Sequence, residues 1–380
     1  MGFIQDLVDN KKYVDEVELP KIDVEKNVAI RPRIKNMAHL GKGIINKLYS
    51  IAYMNGPGNG TVLSLPFDQK SSEHGPLHDF LWEKDDASAE EINLKGRGSA
   101  DIRAIAELTN SGLFSAYVLH PGNIRKFQHL FRPGIPLIYK IDGHITQPEP
   151  AEIPSNVGSV KDALQLGASA IGMTMYVGSG EIQRELERVG TIVREAHDYG
   201  LPAVIWAYSR GPGVSSPLKE GEKSVTQADS LYWTSYGISV AAGLIGADII
   251  KTKFPSPVKP ENREAYDKLL EKLAKKNHSV IAYKYLEPKD PNTKLTDEQH
   301  TYRMSLITRS FPGSIIIVSG GPKKKGDPTE DLKRQTKIIM DAGAEGGIYG
   351  RNVWGVPTEE GLKMAEAILS VIKQPQYYRK

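Results

Sequence analysis

ASAIGMTM (168–175), a helical run over 180–199, AVIWAY (203–208), a second helical run over 226–245 and DIIKT (248–252) decide the fold. The short apolar runs read as strands. The longer segments between them carry apolar residues at three- and four-residue spacing with charges in between, which is the pattern of amphipathic helices. Strand alternating with helix implies parallel pairing through crossovers. Upstream the same rhythm continues in TVLSLPF (61–67), FSAYVLH (114–120) and PLIYKI (136–141), and downstream in SIIIVS (314–319) and GGIY (346–349). Further helices are predicted over 101–111, 121–131, 159–166, 328–342 and 358–373. Eight strands are the number that closes a (β/α)8 TIM barrel. A doubly wound open sheet is the competitor, but no Gly-x-Gly-x-x-Gly turn follows the first strand.

Around this rhythm the chain divides into an N-terminal extension (1–60), expected to pack on the barrel, and a (β/α)8 catalytic domain (61–380). Residues 69–100 and 254–313 are expected to be insertions after strands 1 and 6, the latter with helices over 261–276 and near 296–309. The 380 residues are 39% hydrophobic and 25% charged, which excludes a largely disordered chain. The absence of cysteine excludes disulfides, thiolate metal sites and thiol nucleophiles. A net charge of +3 is too small to point to nucleic acid or an anionic membrane as partner. The sequence has no run of 18 apolar residues, no signal-peptide apolar core and no Ser or Thr at position six to complete a myristoylation site after Gly2. The expectation is a soluble, cytoplasmic protein.

In such a barrel the chemistry belongs at the C-terminal ends of the strands, where the βα loops converge. Those ends supply Asp68, Lys140 with Asp142, Met175–Tyr176, Trp206, Tyr208 and Arg210, Lys251 and Lys253, Ser319–Gly320–Gly321, and Gly350–Arg351–Asn352. Lys251 follows two isoleucines on a central strand. A lysine there is costly to keep charged, and Lys253 and Lys140 nearby add repulsion. A neutral amine is what attack on a ketone carbonyl requires, giving a Schiff base. The plainer alternative is a lysine that binds an anion. Tyr208 and Asp68 suit general acid–base work on a substrate held at the lysine, against a rim tyrosine and a capping aspartate. Ser319, Gly320 and Gly321 with Gly350 and Arg351 bring backbone N–H groups and a guanidinium to the last two loops, the usual phosphate position. The run Lys323–Lys325 reads as solvated surface. Nine scattered histidines form no metal motif, and the adjacent carboxylate–imidazole pair Glu73–His74 falls in a loop. Ser209 and Ser215 lack a nucleophile-elbow context. No metal and no cofactor are expected.

The motifs DQKSSEHGP (68–76), MTMYVGSGEIQRELERV (173–189), WAYSRG (206–211), GADIIKTK (246–253), SGGPK (319–323) and YGRNVW (349–354) occur in order over most of the chain. Together they resemble the archaeal/bacterial-type class I fructose-bisphosphate aldolases, the DhnA family. The resemblance implies a lyase on a (β/α)8 barrel, cleaving fructose 1,6-bisphosphate reversibly to dihydroxyacetone phosphate and glyceraldehyde 3-phosphate in glycolysis or gluconeogenesis. It implies Lys251 as the Schiff-base lysine, Tyr208 as the proton-transfer tyrosine and Asp68 as the group assisting at substrate hydroxyls. Trp206, Arg210, Lys140 and Lys253 become their neighbours in the substrate site. Ser319, Gly320, Gly321, Gly350 and Arg351 become the phosphate loops. It also implies a homo-oligomer, often a decamer in the family. The first loop departs from the family pattern by one extra residue around Lys70, ahead of Glu73 and His74. Relatives in the family act on other phosphorylated sugars. The alternative is therefore a Schiff-base aldolase or transaldolase-like synthase for another phosphorylated ketose, and a third reading is a silent barrel that binds a sugar phosphate.

Overall fold

The computed structural model describes residues 2–32, 34–68, 101–145, 153–215, 225–320 and 328–379. Within them eight parallel strands run in the order 1-8-7-6-5-4-3-2 and close on themselves. They are β1 (Val62–Pro66), β2 (Ala116–Leu119), β3 (Leu137–Lys140), β4 (Ala170–Tyr176), β5 (Ala203–Tyr208), β6 (Ile249–Lys253), β7 (Ile315–Ser319) and β8 (Gly346–Ile348). Every strand read from the sequence is present, and the barrel expectation holds. Helices at Ile102–Asn110, Pro121–Phe127, Val160–Gln165, Ile182–Asp198, Pro328–Asp341 and Thr358–Ile372 follow the expected ranges closely. None among the described residues is long and apolar enough to cross a membrane.

Three local features differ from the sequence reading. The segment 254–313 contains Pro260–Ala274 and Asp297–Ser310, as expected, but the second packs between Leu231–Ser239 and Pro328–Asp341. It is therefore the regular sixth helix of the ring, and only the part before it is an addition. A two-residue hairpin pairs Asp142–Gly143 with Ser155–Asn156, too short to leave any periodicity in the sequence. The helix predicted from 226 begins at Leu231, where Ser230 caps it by accepting from Trp233 N–H. The segment 69–100 lies outside the described residues.

Strand alternation divides the core in two. Val62, Ala116, Val118, Ile138, Ala170, Val204, Trp206, Ile249, Ile315, Ile317 and Ile348 point into the barrel and form one cluster. Their chain neighbours Leu63, Tyr117, Tyr139, Ile171, Ile205, Ile250 and Ile316 point out and join the helices. The inner cluster also takes in Ile34, Met37, Ile44, Leu48, Ile51 and Ala52. Helix Gly41–Tyr49 and the wider turn Ser50–Met54 thus plug the end where the strands begin. Farther out, Arg31 forms a buried pair with Glu345 at 2.8 Å and donates to Ser314 O at 2.7 Å. One end of the barrel is sealed with hydrocarbon, leaving the other for polar groups.

Leu48 is almost fully buried in that plug. Leu48→Ala should cost about 2–5 kcal/mol in urea unfolding, the range for a leucine deleted from a close-packed core. An unchanged midpoint would mean that the helix does not belong to the barrel core.

Candidate active site

The inward row of β6 reads Ile249, Lys251, Lys253, so the strand that seals the core with isoleucine presents lysine two residues later. Lys251 is only 3% exposed. Its register partner on β5 is Trp206, and its Nζ lies 4.8 Å from the Trp206 ring centre and 5.8 Å from that of Tyr208. Trp206 occupies the barrel axis because Gly172 faces it: a Cβ at 172 would lie 2.8 Å from two atoms of the indole. A cavity of about 730 Å³ opens above, and Lys251, Tyr208, Lys253, Ser319, Gly320, Gly350 and Arg351 all line it.

Asp68 lies just beyond β1 and is buried. Burial alone would raise its pKa, but Lys251 first, then Lys140 and His120, outweigh it and hold the carboxyl below its ordinary value. Lys140 is equally buried and lies 5.3 Å from the Trp206 ring, so two lysines share one indole. It is not an open cation, however. Its ammonium is ion-paired with the Asp142 carboxylate and donates to the Asp142 carbonyl at 3.3 Å. Asp142 in turn accepts from Arg188 at 3.0 Å and from Thr174 N–H at 2.8 Å. Arg188 is braced by Glu185 at 2.8 Å and by Thr174 O at 2.6 Å. The repulsion between bare lysines expected from the sequence is therefore corrected: carboxylates are interleaved with the cations.

The same holds at the rim. Arg210 and Lys253 each meet Asp229 at 3.0 Å, and these cations outweigh burial to keep Asp229 below the usual carboxylate value. Ser319 ends β7. Gly320 is required by close packing, since a Cβ there would lie 2.5 Å from the Tyr349 ring. At Gly350 a Cβ would come within 3.1 Å of Pro66 and Trp354, and Arg351 follows at the start of helix Arg351–Trp354. Gly321, Glu73, His74 and Lys323–Lys325 lie outside the described residues. Ser209 donates to Trp233 O at 2.9 Å and Ser215 accepts from Gly211 N–H at 3.2 Å, both loop-bracing contacts. No trio of metal-ligating side chains is gathered among the described residues.

Two groups escaped the sequence reading. His120 is buried at the exit of β2, and its Nε2 lies 3.0 Å from the Asp142 carbonyl, which can only accept, so that nitrogen carries a proton. Burial foremost, and Lys140, lower its pKa. The inward row Ala116, Val118, His120 was the available signal. Asp229 gave none, being one aspartate in a loop.

The depressed Asp68 pKa makes a stability prediction. Its contribution is fully present above the ordinary carboxylate value of about 3.9 and is lost as pH falls through the lower folded value. Urea midpoints of the wild type should fall more steeply on acidification below about pH 4 than those of Asp68→Asn. Equal slopes would remove Asp68 from the charge cluster.

The DeoC/LacD family aldolase profile matches residues 63–355, from β1 through the last phosphate-loop candidate. A fructose-bisphosphate aldolase class 1 from Thermoproteus tenax is 28% identical over 315 residues, covering 82% of this chain and 90% of its own. A crystal structure of an archaeal fructose 1,6-bisphosphate aldolase superposes with a TM-score of 0.59 at 24% identity, over 86% of this chain and 99% of its own. A fructose-bisphosphate aldolase from Slackia heliotrinireducens gives 0.62 at 17% identity, over 94% and 90%. At these identities the two structures speak for the fold. The profile spans the barrel and every described strand end that carries a charged group, and on that extent the chain belongs to the DeoC/LacD family of aldolases.

Proposed function

We propose that the chain is a class I, metal-independent aldolase that cleaves fructose 1,6-bisphosphate reversibly to dihydroxyacetone phosphate and glyceraldehyde 3-phosphate. The observation that carries this reading is Lys251, a buried lysine on the inward row of a central strand, set against the Trp206 ring and lining a cavity large enough for a sugar. The Thermoproteus tenax relative's name supports the substrate. In this reading Lys251 gives up its proton to solvent, the neutral Nζ adds to the ketone carbon, and loss of water leaves an iminium. A base removes the C4 hydroxyl proton, the C3–C4 bond breaks, and its electron pair moves toward the iminium nitrogen as an enamine. Glyceraldehyde 3-phosphate leaves. Protonation of the enamine carbon and hydrolysis return dihydroxyacetone phosphate and the free lysine. The iminium is the electron sink, so the chemistry calls for no metal.

Tyr208, whose ring lies 5.8 Å from Lys251 Nζ, is the proton-transfer group. Asp68, held ionised by its lysine neighbours, accepts hydrogen bonds from substrate hydroxyls. Ser319, Gly320, Gly350 and Arg351 take phosphate, with Gly321 as the continuation of the first loop. Trp206 backs Lys251. Lys140 acts through the field it exerts on Asp68 and His120, and Arg210 and Lys253 act beside Tyr208. The family resemblance further supports a cytoplasmic homo-oligomer working in glycolysis or gluconeogenesis, which sedimentation of the purified chain tests for assembly.

Borohydride reduction with dihydroxyacetone phosphate should add its mass to the peptide containing Lys251, and Lys251→Ala should lose adduct and cleavage together. An adduct confined to Lys140 or Lys253 would sink the assignment. Tyr208→Phe should keep the adduct while turnover falls by about 10²–10⁴. Faster turnover of fructose 1-phosphate than of the bisphosphate would shift the substrate to another phosphorylated ketose. Chelator should leave the rate unchanged.

Arg351→Ala should raise KM for phosphorylated substrates with a smaller effect on kcat, because the phosphate does not react. A fall in kcat at constant KM would place Arg351 at the reacting carbons instead.

A further inference from the structure

Three cations surround the Tyr208 ring. Lys253 Nζ and the Arg210 guanidinium each lie 5.5 Å from its centre, and Lys251 Nζ lies 5.8 Å away. Lysine and arginine side chains at an open barrel mouth repel one another and lose rotamer freedom when held, so such an arrangement needs a tether. Asp229 supplies it. Its Oδ1 accepts from Arg210 Nη1 and its Oδ2 from Lys253 Nζ, both at 3.0 Å. One carboxylate therefore bridges the exit of β5 and the end of β6. The bridge is anchored behind: the Ser256 N–H donates to the Asp229 carbonyl at 2.7 Å, and Arg210 also donates to Ser209 O at 2.7 Å.

We propose that Asp229 is a positioning residue for the proton-transfer step, holding Arg210 and Lys253 against Tyr208 and so fixing the direction of its hydroxyl and the field around it. This rests on the reading of Tyr208 as the proton-transfer group. Asp229 lines the same cavity as Tyr208 and Lys251, yet both of its carboxylate oxygens are committed to the two cations. It acts through Tyr208 and not on the substrate. A surface ion pair with no such task would be worth about 0–1 kcal/mol of stability and would leave the chemistry untouched.

The groups around Tyr208 among the described residues give the pH dependence a sign. Lys251 and Lys253 come from β6, Arg210 from its own strand exit, and Asp229 from the loop before Leu231–Ser239. Tyr176 on β4 is its register partner, with His144 Nδ1 3.3 Å from the Tyr176 hydroxyl. Asp229 is the negative charge in this set. Asp229→Asn removes that charge while Lys251, Lys253 and Arg210 keep theirs, so the field at Tyr208 becomes more positive, which favours the phenolate and draws the basic limb of the kcat profile to lower pH.

The test compares wild type, Asp229→Asn, Asp229→Glu, Tyr208→Phe and the double variant Tyr208→Phe/Asp229→Asn. It uses fructose 1,6-bisphosphate cleavage across pH together with borohydride trapping. Asp229→Asn should lower kcat by about 10–100-fold through a misdirected hydroxyl, with the basic limb moved to lower pH and the Lys251 adduct formed as in wild type. Asp229→Glu should recover part of the rate. In the Tyr208→Phe background Asp229→Asn should cost less than threefold. An unmoved pH limb, or full additivity in the double variant, overturns the positioning role while leaving the Schiff-base reading intact. Wild type that forms no adduct overturns the Schiff-base reading, and this inference with it. If Asp229→Asn fails to fold, Asp229→Glu carries the test, and a wild-type rate and profile there with the bridge lengthened by a methylene would count against the proposal.

Discussion

Two ammonium groups held out of water against one indole can persist only if negative charge is brought in with them, and the rest of the barrel mouth follows from that requirement. Removing an ion from water costs several kcal/mol even after relaxation, so a buried cation without a partner would be expelled or neutralised. Here Asp68 lies among Lys251, Lys140 and His120, and Asp142 takes Lys140 on one side and Arg188 on the other. Glu185, fully buried, then holds Arg188 and accepts the Tyr176 N–H at 2.9 Å. The charges alternate in sign from the centre of the barrel to its fourth helix. What distinguishes Lys251 in this set is its place: it faces the cavity, whereas Lys140 is turned into Asp142.

This arrangement depends on the opposite end of the barrel being finished in hydrocarbon. The inward rows are apolar at 249, 315 and 204 because helix Gly41–Tyr49 and its continuation close over them. An interior of uniformly small polar residues would hydrate and weaken every interaction above it, since electrostatic forces grow as water is excluded. Trp206 marks the boundary between the two regimes. It belongs to the apolar cluster by its packing and to the polar site by its two lysines, and Gly172 gives up a side chain to admit it.

How far the sequence could be read follows from the range of each signal. Strands and crossover helices announce themselves within ten or twenty residues, and all eight strands and the main helices were readable for that reason. Lys251 and Lys253 were readable too, because a charge two residues past an isoleucine on a buried strand is a local anomaly. His120 obeys the same rule on β2 and could have been found by extending the inward row. Asp229 could not. Its meaning comes from Arg210, 19 residues before it, and Lys253, 24 residues after it, meeting across two loops, and a spacing of that kind has no period. The Lys140–Asp142 pair was visible as two neighbouring strand-end residues, but not that they bind each other. The segment 254–313 was read as one insertion because a helix after a long excursion looks the same whether it belongs to the ring or not.

The pairing also apportions the positive charge. Of the cations named from the strand ends, Lys140 is engaged by Asp142, and Arg210 and Lys253 by Asp229. Arg351 lines the cavity and makes no ion pair among the described residues. Among the described strand-end cations, the guanidinium not taken by a carboxylate lies on the side of β7 and β8, where Gly320 and Gly350 also bring backbone close to the cavity. On the side of β5 and β6 an incoming anion would compete with Asp229 for Arg210 and Lys253. The strand-end charge described here is therefore uneven across the barrel mouth, open beside Arg351 and already paired beside Asp229.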